Sequence, residues 1–303
     1  MNETKTVTKK LRAKKPEAIE KRLKMFVYGA AGVGKTWAAI QFPNAYIIDT
    51  EKGADFYSKS IVKAGSVIFQ SNNADEIREE IKNLLIEKHD YKTLIIDPVT
   101  QIYNSIQEKW VRVFEKYSTD EKNKEIQDFG MRFWGKVKSE YKSLQRLLVN
   151  LDMNIIVTSH QKDVYGTNFS KIGTTFDSMK GDDYFFDLIF QIEKQGEKRI
   201  AKTIKERSEL GENKFPETFD WIYSNFCLFY GKDILERESV SISMATKEQV
   251  EKIEKLLEIV KVDDAIVNKW FTTADCDSFE QFKSEQIEKC IGYLENQLKP
   301  IVK

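Results

Sequence analysis

The residues from Gly29 to Thr36 read GAAGVGKT, which matches the phosphate-loop pattern G-x-x-x-x-G-K-[ST]. Glycines in such a loop let backbone N–H groups converge on phosphate oxygens, and a helix that starts there adds its positive end. The lysine reaches the terminal phosphates, and the hydroxyl that follows it is a Mg²⁺ ligand. We therefore expect ATP to bind at Gly29, Ala30, Ala31, Gly32, Val33, Gly34, Lys35, Thr36 and Trp37.

A second candidate for phosphate chemistry is Asp97, which ends the apolar run TLIIDP at residues 93–98. A carboxylate at the end of a buried strand can hold Mg²⁺ with little competition from solvent. The plainer interpretation is an ordinary aspartate before a proline turn. Because the same chain carries a phosphate loop, we expect Thr36 and Asp97 to hold Mg²⁺ together.

Five short apolar runs are typical of strands that are buried on both faces of a parallel sheet. The stretches between them carry apolar residues at helical spacing, so strands and helices alternate along the chain. The pattern predicts an α/β fold with a doubly wound, mainly parallel sheet. The predicted strands cover residues 24–29, 45–51, 66–70, 93–98 and 154–160.

The pattern changes after residue 160. Residues 161–183 are rich in Gly, Ser and Thr without a clear period, which predicts a long functional loop. Residues 184–208 alternate around Gly196 as in a β-hairpin. Further on, Thr246 and Gln249 form a capping box ahead of apolar residues at helical spacing. We predict a flexible basic arm, an ATPase core and a small helical domain at residues 1–23, 24–240 and 246–303.

Taken in order, five stretches resemble those of the RecA-like P-loop ATPases that bacteriophages encode: GAAGVGKT, IIDTEKG, LIIDP, QDFGMRFWGKVKSEYKSLQRLL at residues 127–148, and NIIVTSHQK. Some members of that family act as single-strand annealing or recombination-mediator proteins. The resemblance covers residues 24–224. It implies a RecA-like P-loop NTPase fold and hydrolysis of ATP with Mg²⁺.

The same resemblance implies roles for residues near the strand ends. In RecA-like ATPases, a glutamate just past the strand that follows the phosphate loop polarises the attacking water, and Glu51 occupies that place. Asp49 then supports the site. A polar residue after the fifth strand senses the terminal phosphate, which implies His160 or Gln161 here. A pair of surface acids and a hydrogen-bonded strand-end histidine are the plainer interpretations.

The stretch IKERS at residues 204–208 contains lysine and arginine at alternate positions. RecA-like proteins carry such basic residues on a late strand, where they reach the nucleotide of the neighbouring subunit. The resemblance therefore implies that Lys205 and Arg207 act in trans and that the protein self-associates into a ring or filament. Solvent-facing charge on a hairpin explains the pattern equally well.

Composition limits the function classes. Lys+Arg and Asp+Glu number 48 each, so a nucleic-acid site must be a local patch. The cysteines Cys227, Cys276 and Cys290 lack metal-ligand spacing and indicate a reducing, cytoplasmic location. No apolar run approaches the roughly 20 residues that span a bilayer, so we expect no membrane partner.

Three functions fit these motifs. The first is an ATPase that binds single-stranded DNA and promotes annealing or strand pairing, alongside a single-stranded DNA-binding or other recombination protein. The second is a ring-forming motor or loader that remodels a replication or packaging partner. The third is a nucleotide-dependent switch with little turnover. For the first, we expect DNA contacts from Lys162, Lys171, Lys180, Tyr165, Phe169 and Phe176.

Overall fold

The computed structural model describes residues 22–118, 129–207, 215–238, 244–274 and 276–298. Most of the predicted basic arm lies outside these ranges. The described strands are β1 (Lys24–Gly29), β2 (Ala45–Asp49), β3 (Val67–Gln70), β4 (Thr93–Asp97), β5 (Asn154–Tyr165), β6 (Lys171–Phe176), β7 (Leu188–Gln195), β8 (Lys198–Glu206) and β9 (Thr218–Asp220).

The helices are interleaved with these strands. Those of the core are α1 (Lys35–Ala39), α2 (Ser58–Lys63), α3 (Ala74–Ile86), α4 (Val99–Ser118), α5 (Phe129–Asn150), α6 (Asp182–Phe185), α7 (Tyr223–Tyr230) and α8 (Lys232–Glu236). Three more follow near the C-terminus: α9 (Lys247–Ile259), α10 (Asp264–Ala274) and α11 (Ser284–Leu298). No described helix is long and apolar enough to cross a membrane.

The strand order in the sheet is β3-β2-β4-β5-β1-β7-β8-β9, and β6 pairs with the outer part of β5. The neighbours from β3 to β7 run parallel, whereas β8 is antiparallel to β7 and to β9. The structure thereby confirms the predicted class, an α/β fold with a mainly parallel sheet and helices toward the C-terminus.

This topology gathers the ends of four strands at one edge of the sheet. Asp49 at the end of β2 lies opposite Asp97 at the end of β4. Gly29 at the end of β1 lies opposite His160 on β5. Ligands of open parallel sheets bind at this carboxyl edge. The residues that sequence motifs single out are therefore neighbours because their strands are parallel.

Apolar residues pack on both faces of the sheet, which explains why the central strands are almost wholly apolar. Along β1, Phe26 and Tyr28 face one core with helices α3, α4 and α5, and Met25 and Val27 face the other with α1, α2, α7 and α8. All four side chains are at most 4% exposed. The two cores hold the carboxyl edge in a fixed geometry.

The prediction of a long loop over residues 161–183 is wrong. Strand β5 continues to Tyr165 and pairs antiparallel with β6, so most of this segment is a hairpin that extends beyond the main sheet. Its strands pair only with each other in this part, and both faces stay largely exposed. Because neither face is buried, the apolar alternation that reveals a strand is absent. The predicted hairpin around Gly196 is confirmed by the β7–β8 pair.

The packed core begins before the first predicted strand. Leu23, within the range predicted as an arm, is buried, and the guanidinium of Arg22 pairs with Asp152 at 2.8 Å. Near the C-terminus, Thr246 and Gln249 form the predicted capping box at the start of α9. Helices α9, α10 and α11 share a separate apolar core. The boundaries of the three predicted domains stay predictions.

Candidate nucleotide-binding site

A cleft of about 470 Å³ opens at the carboxyl edge of the sheet, above the ends of β1, β2 and β4. Glycines of the phosphate loop form one side, and acidic and polar side chains from the other strand ends form the rest. The lining includes the predicted residues Gly29, Ala31, Gly32, Gly34, Lys35, Thr36, Asp49, Glu51, Asp97, His160 and Gln161, together with Tyr57 and Arg199.

The glycines of the phosphate loop are required by close approach and by backbone conformation. A Cβ atom on Gly29 would lie 2.5 Å from the carbonyl oxygen of Ile192. Gly34 has φ of 98°, a left-handed conformation that disfavours other residues, and a Cβ there would also meet the side chain of Arg199. Helix α1 is only five residues long, so the expected contribution of its dipole is small.

The ammonium group of Lys35 lies inside the loop. Its Nζ donates to the carbonyl oxygens of Gly29 at 3.0 Å and Ala30 at 2.9 Å. Burial lowers the pKa of Lys35, while the nearby carboxylates of Asp97 and Glu51 act in the opposite direction. The lysine is thus held where its charge faces the cleft.

Asp97 lies at the floor of the cleft and is 5% exposed. Its Oδ1 accepts a hydrogen bond from the hydroxyl of Thr158, and the hydroxyl of Thr36 also bonds to its carboxyl group. Burial raises the pKa of Asp97, and these two hydroxyls and Lys35 oppose the shift. The pairing of a hydroxyl and a carboxylate oxygen suits Mg²⁺, which prefers oxygen ligands.

Asp49 organises the turn that carries Glu51. Its carboxylate accepts backbone N–H bonds from Glu51 at 3.2 Å, Gly53 at 3.1 Å and Ala54 at 3.0 Å. The side chain is 1% exposed. A buried carboxylate with three backbone donors fixes the local chain path, so the supporting role predicted for Asp49 agrees with its contacts.

Two side chains from neighbouring elements hold Glu51. Gln101 of α4 donates to its Oε1 at 2.5 Å, and His160 Nε2 lies 3.0 Å from Oε1 and 3.2 Å from Oε2. The carboxylate is 38% exposed and stands at the mouth of the cleft. The structure therefore joins the predicted pair Glu51 and His160. Gln101 was not found from the sequence because a glutamine within a helix carries no motif.

Arg199 is a further residue of the cleft that the sequence did not indicate. Its guanidinium carbon lies 4.4 Å above the ring of Trp37, a cation–π arrangement. Its Nε is buried without a hydrogen-bond partner among the described residues. The residue follows the turn at Gly196, where alternating charges normally indicate a solvent-facing hairpin. Its place beside the phosphate loop depends on how β7 and β8 extend the sheet past β1.

Three members of the predicted phosphate loop do not line the cleft but surround it. The carbonyl of Ala30 accepts from Lys35, and Val33 packs against the core that contains α1. Trp37 lies beneath Arg199.

Lys205 and Arg207 are not brought to the cleft of their own chain. Lys205 lies opposite Ile189 on β7, near the start of β1 and so at the other end of the sheet from Gly29. Its Nζ donates to the carbonyl oxygens of Phe186, at 2.6 Å, and of Asp183. Desolvation lowers the pKa of Lys205, and the charge of Arg207 adds to this shift. Their action on a neighbouring subunit stays a prediction.

The side chains predicted to contact DNA have unequal surroundings. Tyr165 and Phe169 are 60% and 88% exposed near the tip of the β5–β6 hairpin. The ring centroid of Phe176 instead lies 5.0 Å from that of Phe26 and 5.9 Å from that of Tyr28, so part of its ring is covered by the core, and stacking on bases stays a prediction for it. The sequence hid this because the hairpin returns Phe176 to the face of the main sheet.

The charges of the same hairpin are largely compensated. Lys162 pairs with Asp177 at 3.2 Å, and Lys171 pairs with Asp163 at 2.7 Å. Both pairs are at least 38% exposed, so each is open to competition from salt or from a phosphate.

The part of the chain that forms the cleft matches a known protein family. A family model described as "AAA domain" matches residues 21–215, which is most of the core that contains the cleft. The chain belongs to this AAA domain family. Among solved structures, it is similar to the crystal structure of the RadB recombinase, with 15% sequence identity and a TM-score of 0.37, over 60% of this chain and 80% of that chain. No curated protein matches the chain.

The matched part of the AAA domain ends at residue 215, so β9 and the helices that follow lie beyond it. It includes the phosphate loop, Glu51, Asp97, His160 and Arg199. The family assignment therefore covers every side chain that lines the cleft.

Proposed function

We propose that this AAA domain binds ATP together with Mg²⁺ in the carboxyl-edge cleft and hydrolyses it. The observation that carries the proposal is the convergence of Lys35, Thr36, Asp97 and Glu51 on one cleft from three separate strand ends. A phosphate loop, a buried aspartate that can hold a metal ion and a carboxylate at the mouth of the cleft are the parts that hydrolysis of a phosphoanhydride needs.

The chain's own groups account for nucleotide binding. Backbone N–H groups of the glycine loop would bind the phosphate oxygens. Lys35 would move its ammonium from two loop carbonyls to the terminal phosphates. Thr36 and Asp97 would hold Mg²⁺, which supplies charge neutralisation on the phosphate oxygens when bound. Arg199 adds a second cation at the side of the loop.

Glu51 is the general base in this proposal. Its carboxylate accepts a proton from the attacking water, and Gln101 and His160 fix its orientation through the hydrogen bonds described above. His160 also senses the terminal phosphate, because its ring lies in the cleft while its backbone continues into the β5–β6 hairpin.

In our proposal, the ATPase acts on single-stranded DNA in bacteriophage recombination or annealing, and the protein self-associates in the host cytoplasm. Support comes from the ordered set of RecA-like motifs and from the exposed aromatic residues Tyr165 and Phe169 on a projecting hairpin. Such side chains stack on unpaired bases.

The test is ATP turnover by the full chain, with and without single-stranded DNA. We expect Mg²⁺-dependent hydrolysis that DNA stimulates, and its loss in Lys35→Ala, while Lys59→Ala keeps the wild-type rate because Lys59 is exposed on α2. Turnover without stimulation would favour a motor or loader that acts on a protein. Equal rates in Lys35→Ala and wild type would contradict the proposed site.

A further inference from the structure

A second cleft, of about 910 Å³, lies between α5 and the segment from Met179 to Phe185. We call it the α5–α6 groove. Trp134, Lys138 and Lys142 line one wall. They are four residues apart on α5, so they share one face of the helix at intervals of about 6 Å along its axis. Lys180 and Tyr184 line the opposite wall.

The groove is a positive patch on a chain without net charge. It has three lysines and one carboxylate, Asp183, among the described residues that line it. Within 4.0 Å, none of Lys138, Lys142 and Lys180 has an ion-pair partner in the part of the chain that the structure describes. The lysines of the β5–β6 hairpin differ, because Lys162 and Lys171 are both paired. Unpaired cations are available to an anionic partner without breaking existing contacts.

Two of the aromatic rings that line this patch are exposed, one on each wall. Trp134 is 52% exposed and Tyr184 is 76% exposed. Rings of this size beside the lysines form flat surfaces, and base stacking on such rings stabilises single-stranded nucleic acids. A double helix hides its base faces, and an acidic peptide offers none. The combination therefore favours a strand with unpaired bases.

We propose that the α5–α6 groove binds single-stranded nucleic acid, with phosphates at Lys138, Lys142 and Lys180 and bases stacked on Trp134 and Tyr184. The inference rests on the proposed action on single-stranded DNA, and it places the strand on α5 and α6 rather than on the hairpin alone. None of these residues except Lys180 belongs to the DNA contacts expected from the sequence.

The groove wall is physically connected to the nucleotide cleft. Asp177, just before the wall segment, donates its N–H to the carbonyl of His160 at 2.8 Å, and the hydroxyl of Thr100 donates to the carbonyl of Asp177 at 2.8 Å. The backbone N–H of His160 in turn donates to Thr100 at 3.0 Å. A bound nucleic-acid strand that changes the conformation of the segment from Met179 to Phe185 would therefore affect His160, which is hydrogen-bonded to Glu51.

The experiment measures binding of a fluorescein-labelled oligothymidine to the full chain by anisotropy, over a series of salt concentrations. We expect the double variant Lys138→Ala, Lys142→Ala to lower the log–log salt slope by about 1.4, since each lost phosphate contact on a single strand contributes about 0.7. The control is Lys59→Ala, Lys63→Ala, which removes two exposed lysines at the same spacing from α2.

The aromatic residues provide the second arm. Trp134→Ala and Tyr184→Ala are each expected to weaken binding about 5- to 150-fold, while Trp134→Phe retains most of it. Circular dichroism shows whether each variant is folded. If wild type binds the oligothymidine and the groove variants bind as well as the control, the α5–α6 groove is not the binding site, although the proposed DNA function stands. If wild type does not bind the oligothymidine, both the proposed DNA function and the proposed binding site are contradicted. If duplex DNA binds equally well, or if polyglutamate competes, the groove does not select a strand with unpaired bases.

Discussion

At the scale of single residues, the geometry of the cleft depends on a few side chains whose positions are fixed by hydrogen bonds to neighbouring residues. Asp49 fixes the turn, Gln101 and His160 fix Glu51, and Thr158 fixes Asp97. Each functional group thus approaches its working position before a nucleotide binds. Preorganisation of this kind is what allows charged groups to act without a reorganisation cost.

Arg199 gives the clearest prediction at this scale. Arg199→Ala removes a cation beside the phosphate loop and the group that covers Trp37, so we expect roughly tenfold weaker ATP binding, in line with charge-assisted hydrogen bonds. Titration with a fluorescent ATP analogue measures this. Lys198→Ala is the matched control, because Lys198 is the adjacent cation and pairs with Asp220 at 2.6 Å. Unchanged affinity in Arg199→Ala would exclude a role for the guanidinium.

The sequence predicted the site residues whose type and spacing form a motif, and it missed those that enter through the sheet. Lys35, Thr36 and Asp97 could be found because their motifs join a glycine loop or an apolar strand to a functional group. Arg199 could not, since only the pairing of β7 with β1 places the β8 hairpin next to the loop. Gln101 could not be found either, since it lies on α4, which follows β4, whereas Glu51 follows β2.

At the scale of secondary-structure elements, burial decides what the sequence reveals. Strands β1, β2 and β4 are buried on both faces and were predicted to within two residues of their observed ends. The β5–β6 hairpin is exposed on both faces and was missed. Helix α1 follows the loop as expected but ends after five residues, because the chain turns at Ile40 toward β2.

Helix α6 carries a buried carboxylate with a measurable effect on stability. Asp182 is fully buried and accepts hydrogen bonds from Tyr141 at 2.7 Å and Gln145 at 2.8 Å, as well as from Ser178. Burial raises the pKa of Asp182 from 3.8 to about 6, although the hydroxyls of Ser178 and Tyr141 oppose the shift. The folded state therefore binds this proton more tightly than the unfolded chain.

The sign of the pH effect follows from that difference. Between about pH 4 and pH 6, the contribution of Asp182 to the free energy of unfolding falls by about 3 kcal/mol as pH rises. Urea unfolding across this range should show a steeper decline for wild type than for Asp182→Asn, which cannot titrate. Asp183→Asn, the neighbouring and less buried position, should flatten the slope only slightly, because the charge of Asp183 is the weakest of the influences on the pKa of Asp182. Identical slopes in wild type and Asp182→Asn would refute the effect.

At the scale of the whole molecule, the proposed self-association requires a second chain. Lys205 and Arg207 lie at the opposite end of the sheet from the phosphate loop, so only a neighbouring copy can bring them to a nucleotide. Lys205 is held by backbone carbonyls, which leaves Arg207, an exposed residue, as the better candidate. A cation supplied in trans typically accelerates phosphoryl transfer by about 10³–10⁵.

Sedimentation with ATP and mixing of inactive variants test this arrangement. We expect wild type to form larger species with ATP and Arg207→Ala to remain small. A mixture of Arg207→Ala with Lys35→Ala should recover part of the turnover, because one supplies the cleft and the other supplies the arginine. If mixed oligomers form without any recovery, Arg207 has no role in trans.

If the cleft hydrolyses ATP with Glu51 as the general base, the variant Glu51→Gln must be slow in single-turnover cleavage of ATP. The substitution keeps the shape of the side chain but removes its proton-accepting charge. We predict that ATP still binds with nearly wild-type affinity while the cleavage step slows by roughly 10²–10⁴. Glu254→Gln, on the exposed face of α9, should cleave at the wild-type rate. Cleavage by Glu51→Gln at the wild-type rate would show that Glu51 is not the general base.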